Sequence, residues 1–303
     1  MSVIINSEIV EYDRLIPRTI APEREDEDVE ALIPWVFQYG SVSEEHCILD
    51  WPREESNFRD FFSYFCSYAA DLDEQNIAGV TSMLRASEMI TLPRRSWKTP
   101  QRDRFRHLIR SQSTMLKLLI NTIYLSIKTG IEQGPRMSFH KAEPRQKYVI
   151  GGKRYAAQIE GAVTVDLQEE PVPILSFTAW FEGQTWSEIL VETFSVMLGQ
   201  LARNISVLGN SAGRRDQDVF VIGFHGLHLH IAHGLFRADT VSRVHSKGCS
   251  AHEAFDLRFT RGYNLSLKED WLEAIRALAR LLRYLLSGKA QVGAIEVYRQ
   301  NNS

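Results

Sequence analysis

The chain has 303 residues, of which 44% are hydrophobic and 24% charged, a composition that buries a core without disulfides or a structural metal. Its net charge of −3 excludes a polycationic protein, so contact with nucleic acid would depend on a local basic patch. Three widely separated cysteines without a CxxC pair argue against a disulfide framework, and the sequence shows neither a signal peptide nor an apolar run of ~20 residues. We therefore expect no membrane association and a location in the cytoplasm or nucleus.

The first half of the chain is predicted to be mainly helical. Residues 1–30 resemble an extended arm, and the acidic run at 23–30 suits a helix N-terminus, where the helix dipole favours negative charge. Apolar residues at three- and four-residue steps predict one or two helices over 55–92 and another over 111–132. We expect the acidic run to be a solvated face and residues 1–145 to form a helical N-terminal region.

The pattern changes near residue 145 from helical periodicity to strands. Gly151-Gly152 predicts the turn of a hairpin, and Ser266 is predicted to cap the last helix, with Glu269 at the capping-box position. The elements after the hairpin turn are predicted in the order strand, strand, helix, strand, strand, strand and helix, over residues 157–165, 174–181, 187–204, 218–224, 227–236, 254–260 and 268–287.

This order of elements predicts an α+β or α/β fold. The helical region of residues 1–145 would pack on a mixed β-sheet core of residues 146–293 with flanking helices, and residues 294–303 would form a tail. No linker-like composition separates the two halves, so we expect one packed unit.

Four of the nine histidines stand within residues 225–233. On a β-strand, His228 and His230 would point to one face while Leu229 and Ile231 face the core. One interpretation is an amphipathic strand whose polar face happens to be imidazole, and the other is a metal site or an acid–base pair. Because a His-X-His pair lacks a third ligand at a defined spacing, we predict no bound metal or other cofactor and favour acid–base or hydrogen-bonding chemistry.

Other side chains would complete such a site if neighbouring strands bring them together. His225, His233 and Glu160 are the candidates. Glu160 could share a cleft with Trp180, where burial would raise the pKa of the carboxyl group towards acid–base use. We predict Glu160, His228 and His230 as the catalytic residues.

A basic segment at 94–110 carries seven Lys or Arg residues against one Asp, with Trp97 and Phe105 interleaved. Arginine suits phosphate and aromatic rings stack on bases, so the segment is a candidate phosphate or nucleic-acid site. Because the whole chain is acidic, we favour the alternative, a solvated surface that pairs with the acidic run at 23–30. The candidate phosphate-binding residues are Arg94, Arg95, Lys98, Arg102, Arg104 and Arg106.

One acidic motif and the order of elements over about residues 146–290 carry a family resemblance. Gln158-Ile159-Glu160-Gly161 places an acid on one predicted strand, and Gln200 or Glu192 stands on the helix that follows the next strand. This arrangement resembles the PD-(D/E)XK nuclease fold of large families of fungal nuclease-like proteins. The family's (D/E)-X-K triplet should stand at Ser176-Phe177-Thr178-Ala179, which has neither an acid nor a lysine.

The missing triplet bears directly on activity. In that family two carboxylates hold the divalent metal and the lysine helps to orient the attacking water, which Phe, Thr and Ala cannot do. The resemblance therefore implies a nuclease-like fold without conventional magnesium-dependent cleavage.

These observations predict a diverged nuclease-fold protein that binds a small-molecule ligand or performs altered acid–base chemistry near Glu160, His228 and His230. Two alternatives stay open: a metal-dependent hydrolase or nuclease that uses the histidines, and a metal-free isomerase or cyclase with His and Glu as acid and base. Nucleic-acid binding through 94–110 is not favoured.

Overall fold

A computed structural model describes ten stretches of the chain. They are residues 2–39, 56–74, 86–91, 105–127, 135–139, 145–167, 169–181, 184–212, 215–250 and 253–302. The strands are β1 (Ser2–Ile9), β2 (Ala86–Thr91), β3 (Met137–Ser138), β4 (Arg145–Ile150), β5 (Lys153–Gln158), β6 (Gly161–Leu167), β7 (Glu170–Ala179), β8 (Gln217–His225), β9 (His228–Phe236), β10 (Ala254–Phe259) and β11 (Tyr263–Asn264). The helices are α1 (Tyr12–Leu15), α2 (Pro22–Glu30), α3 (Trp35–Tyr39), α4 (Arg59–Glu74), α5 (Arg106–Ile127), α6 (Trp186–Ala212), α7 (Ala238–Lys247), α8 (Lys268–Leu286) and α9 (Gly293–Asn302).

A large mixed sheet lies at the centre of the molecule and confirms the predicted combination of helices with a mixed sheet. Its strands follow the order β2-β1-β10-β9-β8-β7-β6-β3, and β11 pairs with β9 at one end. β1 runs parallel to β10 and β7 runs parallel to β8, whereas the other neighbours are antiparallel. β4 and β5 form a separate two-stranded hairpin closed by Gly151-Gly152, as predicted.

Helices cover both faces of the sheet, and the central strand β8 is therefore buried along its whole length. Phe220, Ile222 and Phe224 on one face pack in the core formed with α4, α5 and α8. Val219 and Val221 on the other face pack with α6 and the β4–β5 hairpin. A strand that is buried on both faces has apolar residues without alternation, which is the pattern of this segment.

The acidic run at 23–30 forms the predicted helix start, and four of its six acidic residues are exposed as predicted, but the other two take part in an interface. Glu25 and Asp28 lie on the inner side of α2 and are buried. Arg280 of α8 donates two hydrogen bonds to the Glu25 carboxylate, at 2.7 and 2.9 Å, and Arg283 forms a bidentate pair with Asp28. The guanidinium groups of Arg280 and Arg283 thus hold α2 against α8. The basic segment at 94–110 was expected from the sequence to pair with this acidic run, but these two arginines of α8 do so.

Several local predictions are wrong because distant contacts decided the structure. β1 is a strand of the sheet and no extended arm, and β2 occupies residues 86–91, where a helix was predicted. Helix α9 replaces the tail predicted at 294–303. Leu267 and not Ser266 is the N-cap residue of α8, since the Ser266 hydroxyl donates to the side chain of Asn264 at 2.7 Å. Among the described residues, no helix is long and apolar enough to cross a membrane.

Candidate functional site

The β8–β9 hairpin places three histidines on one face of the sheet. The turn contains Gly226 at φ 56°, a backbone conformation that favours glycine. His225 pairs directly with His228, and Gly223 pairs with His230. Since paired residues point to the same side and residues two apart share a face, all three rings lie on the face covered by α6.

Burial makes these imidazoles weak bases. Burial, together with a smaller effect of the neighbouring imidazoles, lowers the pKa of His225 to about 4 and that of His230 to about 3. Burial also lowers the pKa of His228, although the charge of Asp270 opposes this effect. The rings are therefore neutral near pH 7 and can accept as well as donate a hydrogen bond.

Trp180, the residue that follows β7, packs against this group. Its ring lies over Gly223 of β8, where an added Cβ would come 3.1 Å from the indole, and its centroid is 5.2 Å from that of His230. Gly262 closes the other side, because a Cβ there would lie 2.6 Å from His230 Cε1. Trp180 Nε1 and the Nδ1 atoms of His228 and His230 are buried, and none of the described protein atoms is hydrogen-bonded to them.

Glu160 lies in the same row of the sheet as His230 but three strands away. The neighbouring residues Gly161 of β6 and Ile231 of β9 are connected across the sheet through Phe177 of β7 and Ile222 of β8, each paired with the next. Three strand spacings of about 4.8 Å put the two backbones about 14 Å apart. Glu160 is half-buried, its N–H donates to the Phe177 carbonyl at 3.0 Å, and its carbonyl accepts from the Ser113 hydroxyl of α5 at 2.6 Å.

His233 points to the opposite face from the other three histidines, so it belongs to a different environment. Its Nε2 lies 2.8 Å from the Asp218 carboxylate, which also accepts a hydrogen bond at 2.7 Å from the Tyr284 hydroxyl of α8. Burial favours a higher pKa for Asp218, but the hydrogen bonds and charge of its partners outweigh this effect and lower the pKa. These buried hydrogen bonds through Asp218 connect the β8–β9 hairpin to α8.

The positions of β7 and α6 that were compared with the nuclease motifs have structural roles. Phe177 and Thr178 are buried strand residues. Gln200 donates to the Ile174 carbonyl at 3.0 Å and so attaches α6 to β7, and the buried Glu192 accepts from Gln184 at 3.0 Å. In the part of the chain that the structure describes, no group of three or more His, Cys, Asp or Glu residues is arranged to hold a metal ion.

Most of the predicted basic segment lies outside the described residues, namely Arg94, Arg95, Lys98, Arg102 and Arg104. Arg106 is exposed at the first position of α5. Phe105 is buried and stacks on Phe181 with 5.5 Å between the ring centroids, so its ring is not presented to a nucleic-acid base.

A groove that sequence reasoning did not find lies between β4, α6 and α7, with a volume of about 630 Å³. Its apolar lining comes from all these elements and from the ends of β9 and β10. The apolar lining residues are Tyr148, Val149, Ile150, Leu198, Leu201, Ala202, Ile205, Phe236, Val241, Val244 and Phe255. Phe236 and His230 are on the same face of β9, six residues or about 20 Å apart along the strand.

Basic side chains stand at the rim of the groove. Lys147, Arg154 and His245 line it, and all three are exposed. Among the residues that the structure describes, no Asp or Glu lines the groove. Within the described stretches, neither Lys147 nor Arg154 forms an ion pair with a carboxylate, so both charges are available to a ligand.

No family model matches the chain, and no curated protein is significantly similar to it. The resemblance to the PD-(D/E)XK nucleases therefore receives no support from these comparisons, and function has to be argued from the groove and the histidine group themselves.

Proposed function

We propose that this protein binds a ligand with an apolar body and an anionic head in the groove between β4, α6 and α7. The volume of about 630 Å³ falls within the range of sites that enclose small organic ligands. A ligand that covers the apolar floor is stabilised in the groove, because apolar surface is removed from water. Ligand binding was also the leading expectation from the sequence, although at a site near Glu160 and the histidines.

The charge distribution at the rim carries this proposal. Lys147 and Arg154 stand beside an apolar floor whose described lining residues include no Asp or Glu. A guanidinium or ammonium group that donates to a carboxylate, sulfate or phosphate forms a stronger hydrogen bond than a neutral pair does. The groove therefore favours an amphipathic anion over a neutral or cationic molecule of the same shape.

Calorimetric titration with dodecanoate, dodecanol and dodecylammonium tests the proposal. We expect dodecanoate to bind most tightly and Lys147→Glu/Arg154→Glu to weaken it at least about tenfold, since two charge-assisted contacts become repulsive. Ala202→Trp, which fills the floor, should abolish binding of all three molecules. Lys153→Glu is the matched control, because Lys153 is exposed on the same hairpin but does not line the groove. Binding that is equal in all these proteins, or absent from the unmodified chain, would refute the proposal.

A second candidate function is acid–base or hydrogen-bonding chemistry at His228 and His230. The observation that favours it is the pair of buried Nδ1 atoms without a protein partner in the described structure. Alanine at either position should then reduce activity or ligand binding more than stability. A large loss of stability, with binding unchanged in the molecules that still fold, would make these histidines structural.

A further inference from the structure

The outer edge of β4 pairs with no other strand of the described chain, and the groove lies along this edge. Gly151 and Gly152 have φ of 56° and 73°, the conformation of a two-residue turn with positive φ at both central positions. In such a hairpin the flanking residues Ile150 and Lys153 form a hydrogen-bonded pair, and hydrogen-bonded pairs alternate with non-bonded ones. The backbone groups of Lys147 and Val149 therefore point away from β5.

These outward groups have no partner among the described residues. β4 pairs with β5 alone, and the backbone contacts of the hairpin with α7 come from Gly151 and Gly152, which donate to the carbonyls of Val244 and His245. Unpaired N–H and C=O groups along a strand edge are a template for another strand. Four consecutive residues of β4, 147–150, line the groove against one residue of β5, so the groove follows this edge.

We propose that the ligand of the groove is an extended peptide segment of a partner protein, in which acidic and apolar residues alternate, and which adds to β4 as a third strand. This proposal rests on the proposed function, since it names the class of anion that occupies the same groove. Strand addition with side-chain pockets beside the new strand is a recurrent mode of peptide recognition.

The alternation of acidic and apolar residues in the proposed peptide follows from the different side chains on the two faces of the hairpin. Tyr148 and Ile150 face α6 and belong to the buried cluster there, so every second residue of the added strand would meet apolar surface. Lys147 and Arg154 are on the other face, because Arg154 pairs with Val149 and Lys147 is two residues away. The remaining residues of the added strand would meet these cations, which favours glutamate or aspartate at those positions.

Fluorescence polarisation with a labelled eight-residue peptide of alternating glutamate and valine or phenylalanine tests the inference. Two further peptides carry N-methyl groups, one on the glutamates and one on the apolar residues. Only one of these two sets of N–H groups can point to β4, so we expect one methylated peptide to bind at least about tenfold more weakly and the other to bind like the parent. The identity of the peptide that loses affinity shows whether the added strand runs antiparallel or parallel to β4.

The outcomes separate this inference from the proposed function. Dodecanoate should compete with the peptide, and Lys147→Glu/Arg154→Glu should weaken peptide binding while Lys153→Glu leaves it unchanged. Equal binding of both methylated peptides, or dodecanoate binding without any peptide binding, would overturn strand addition and leave the proposed function standing. If neither dodecanoate nor the peptide binds, both proposals fail.

Discussion

Trp180 and His230 pack ring against ring with 5.2 Å between their centroids, although β8 lies between their strands. The contact is made across Gly223, the β8 residue in the same row, where a side chain would occupy the space of the indole. A missing side chain on the central strand thus brings groups from β7 and β9 together on the face below α6.

Gly223→Ala should destabilise the protein by about 1–3 kcal/mol, the usual cost of overpacking a well-packed core. The added methyl group would lie 3.1 Å from both Thr178 and Trp180. Urea unfolding of the variant and the unmodified chain measures the difference. In a Trp180→Leu background the same substitution should cost less, because the crowded ring is gone. An equal loss of unfolding free energy in both backgrounds would show that the indole of Trp180 does not restrict the size of the side chain at position 223.

Stability should fall as the pH is lowered below about 6.5. The folded-state pKa values of His225 and His230 lie at about 4 and about 3, below the ordinary value of 6.5. The unfolded chain therefore binds more protons than the folded chain between these values, and the loss of stability continues until the pH passes the folded-state pKa.

Comparing urea unfolding at about pH 7 and about pH 4.5 for the unmodified chain and His230→Gln checks this dependence. The variant lacks one titrating group, so its stability should change less between the two conditions. His245→Gln, at an exposed position of α7, is the control and should behave like the unmodified chain. A pH dependence that His230→Gln does not reduce would mean that other groups cause it.

Arg283→Ala should cost about 3–5 kcal/mol, because it leaves the buried Asp28 carboxylate without its bidentate partner. Arg276→Ala is the matched comparison on the same helix. Arg276 pairs with Asp26 at 2.8 Å, but the two side chains are 38% and 67% exposed, and such surface pairs contribute about 0–1 kcal/mol. Similar losses of unfolding free energy for both variants would contradict the role assigned to the buried pair.

We expect no magnesium-dependent cleavage of DNA or RNA by the purified protein. Phe177, Thr178 and Ala179 fill the positions that would need an acid and a lysine, and they lie on β7. Incubation with end-labelled oligonucleotides and Mg²⁺, followed by gel electrophoresis, is the measurement. Efficient cleavage that Glu160→Ala abolishes would show that the triplet had been placed wrongly in this chain.

Local patterns in the sequence predicted a good part of the second half of the fold. The glycine pair at 151–152, the strands that contain the histidines and the helix from Lys268 were all predicted close to their observed bounds. Each depends on information within the segment itself: a turn that requires positive φ, side chains that alternate, or an apolar stripe at helical spacing.

The candidate groove could not be predicted in this way. Its lining joins Tyr148, Leu201, Phe236 and Val244, which belong to four different elements. The free edge of β4 is also invisible in the sequence, because a strand pattern does not tell which of its two edges acquires a neighbour. Only the pairing of the whole set of strands shows that this edge remains open among the described residues.

The amino-acid sequence by itself determined which segments become strands and helices in the second half and which of their faces are apolar, since these properties arise from neighbouring residues. Tertiary structure alone decided that β1 enters the sheet beside β10, that Glu25 is buried against Arg280, and that α7 forms a wall of the groove. The physical reason is that the periodicity of a segment shows which of its faces must be covered, whereas packing and charge select the segment that covers it. The residues concerned can be far apart in sequence, as Glu25 and Arg280 are at 255 positions.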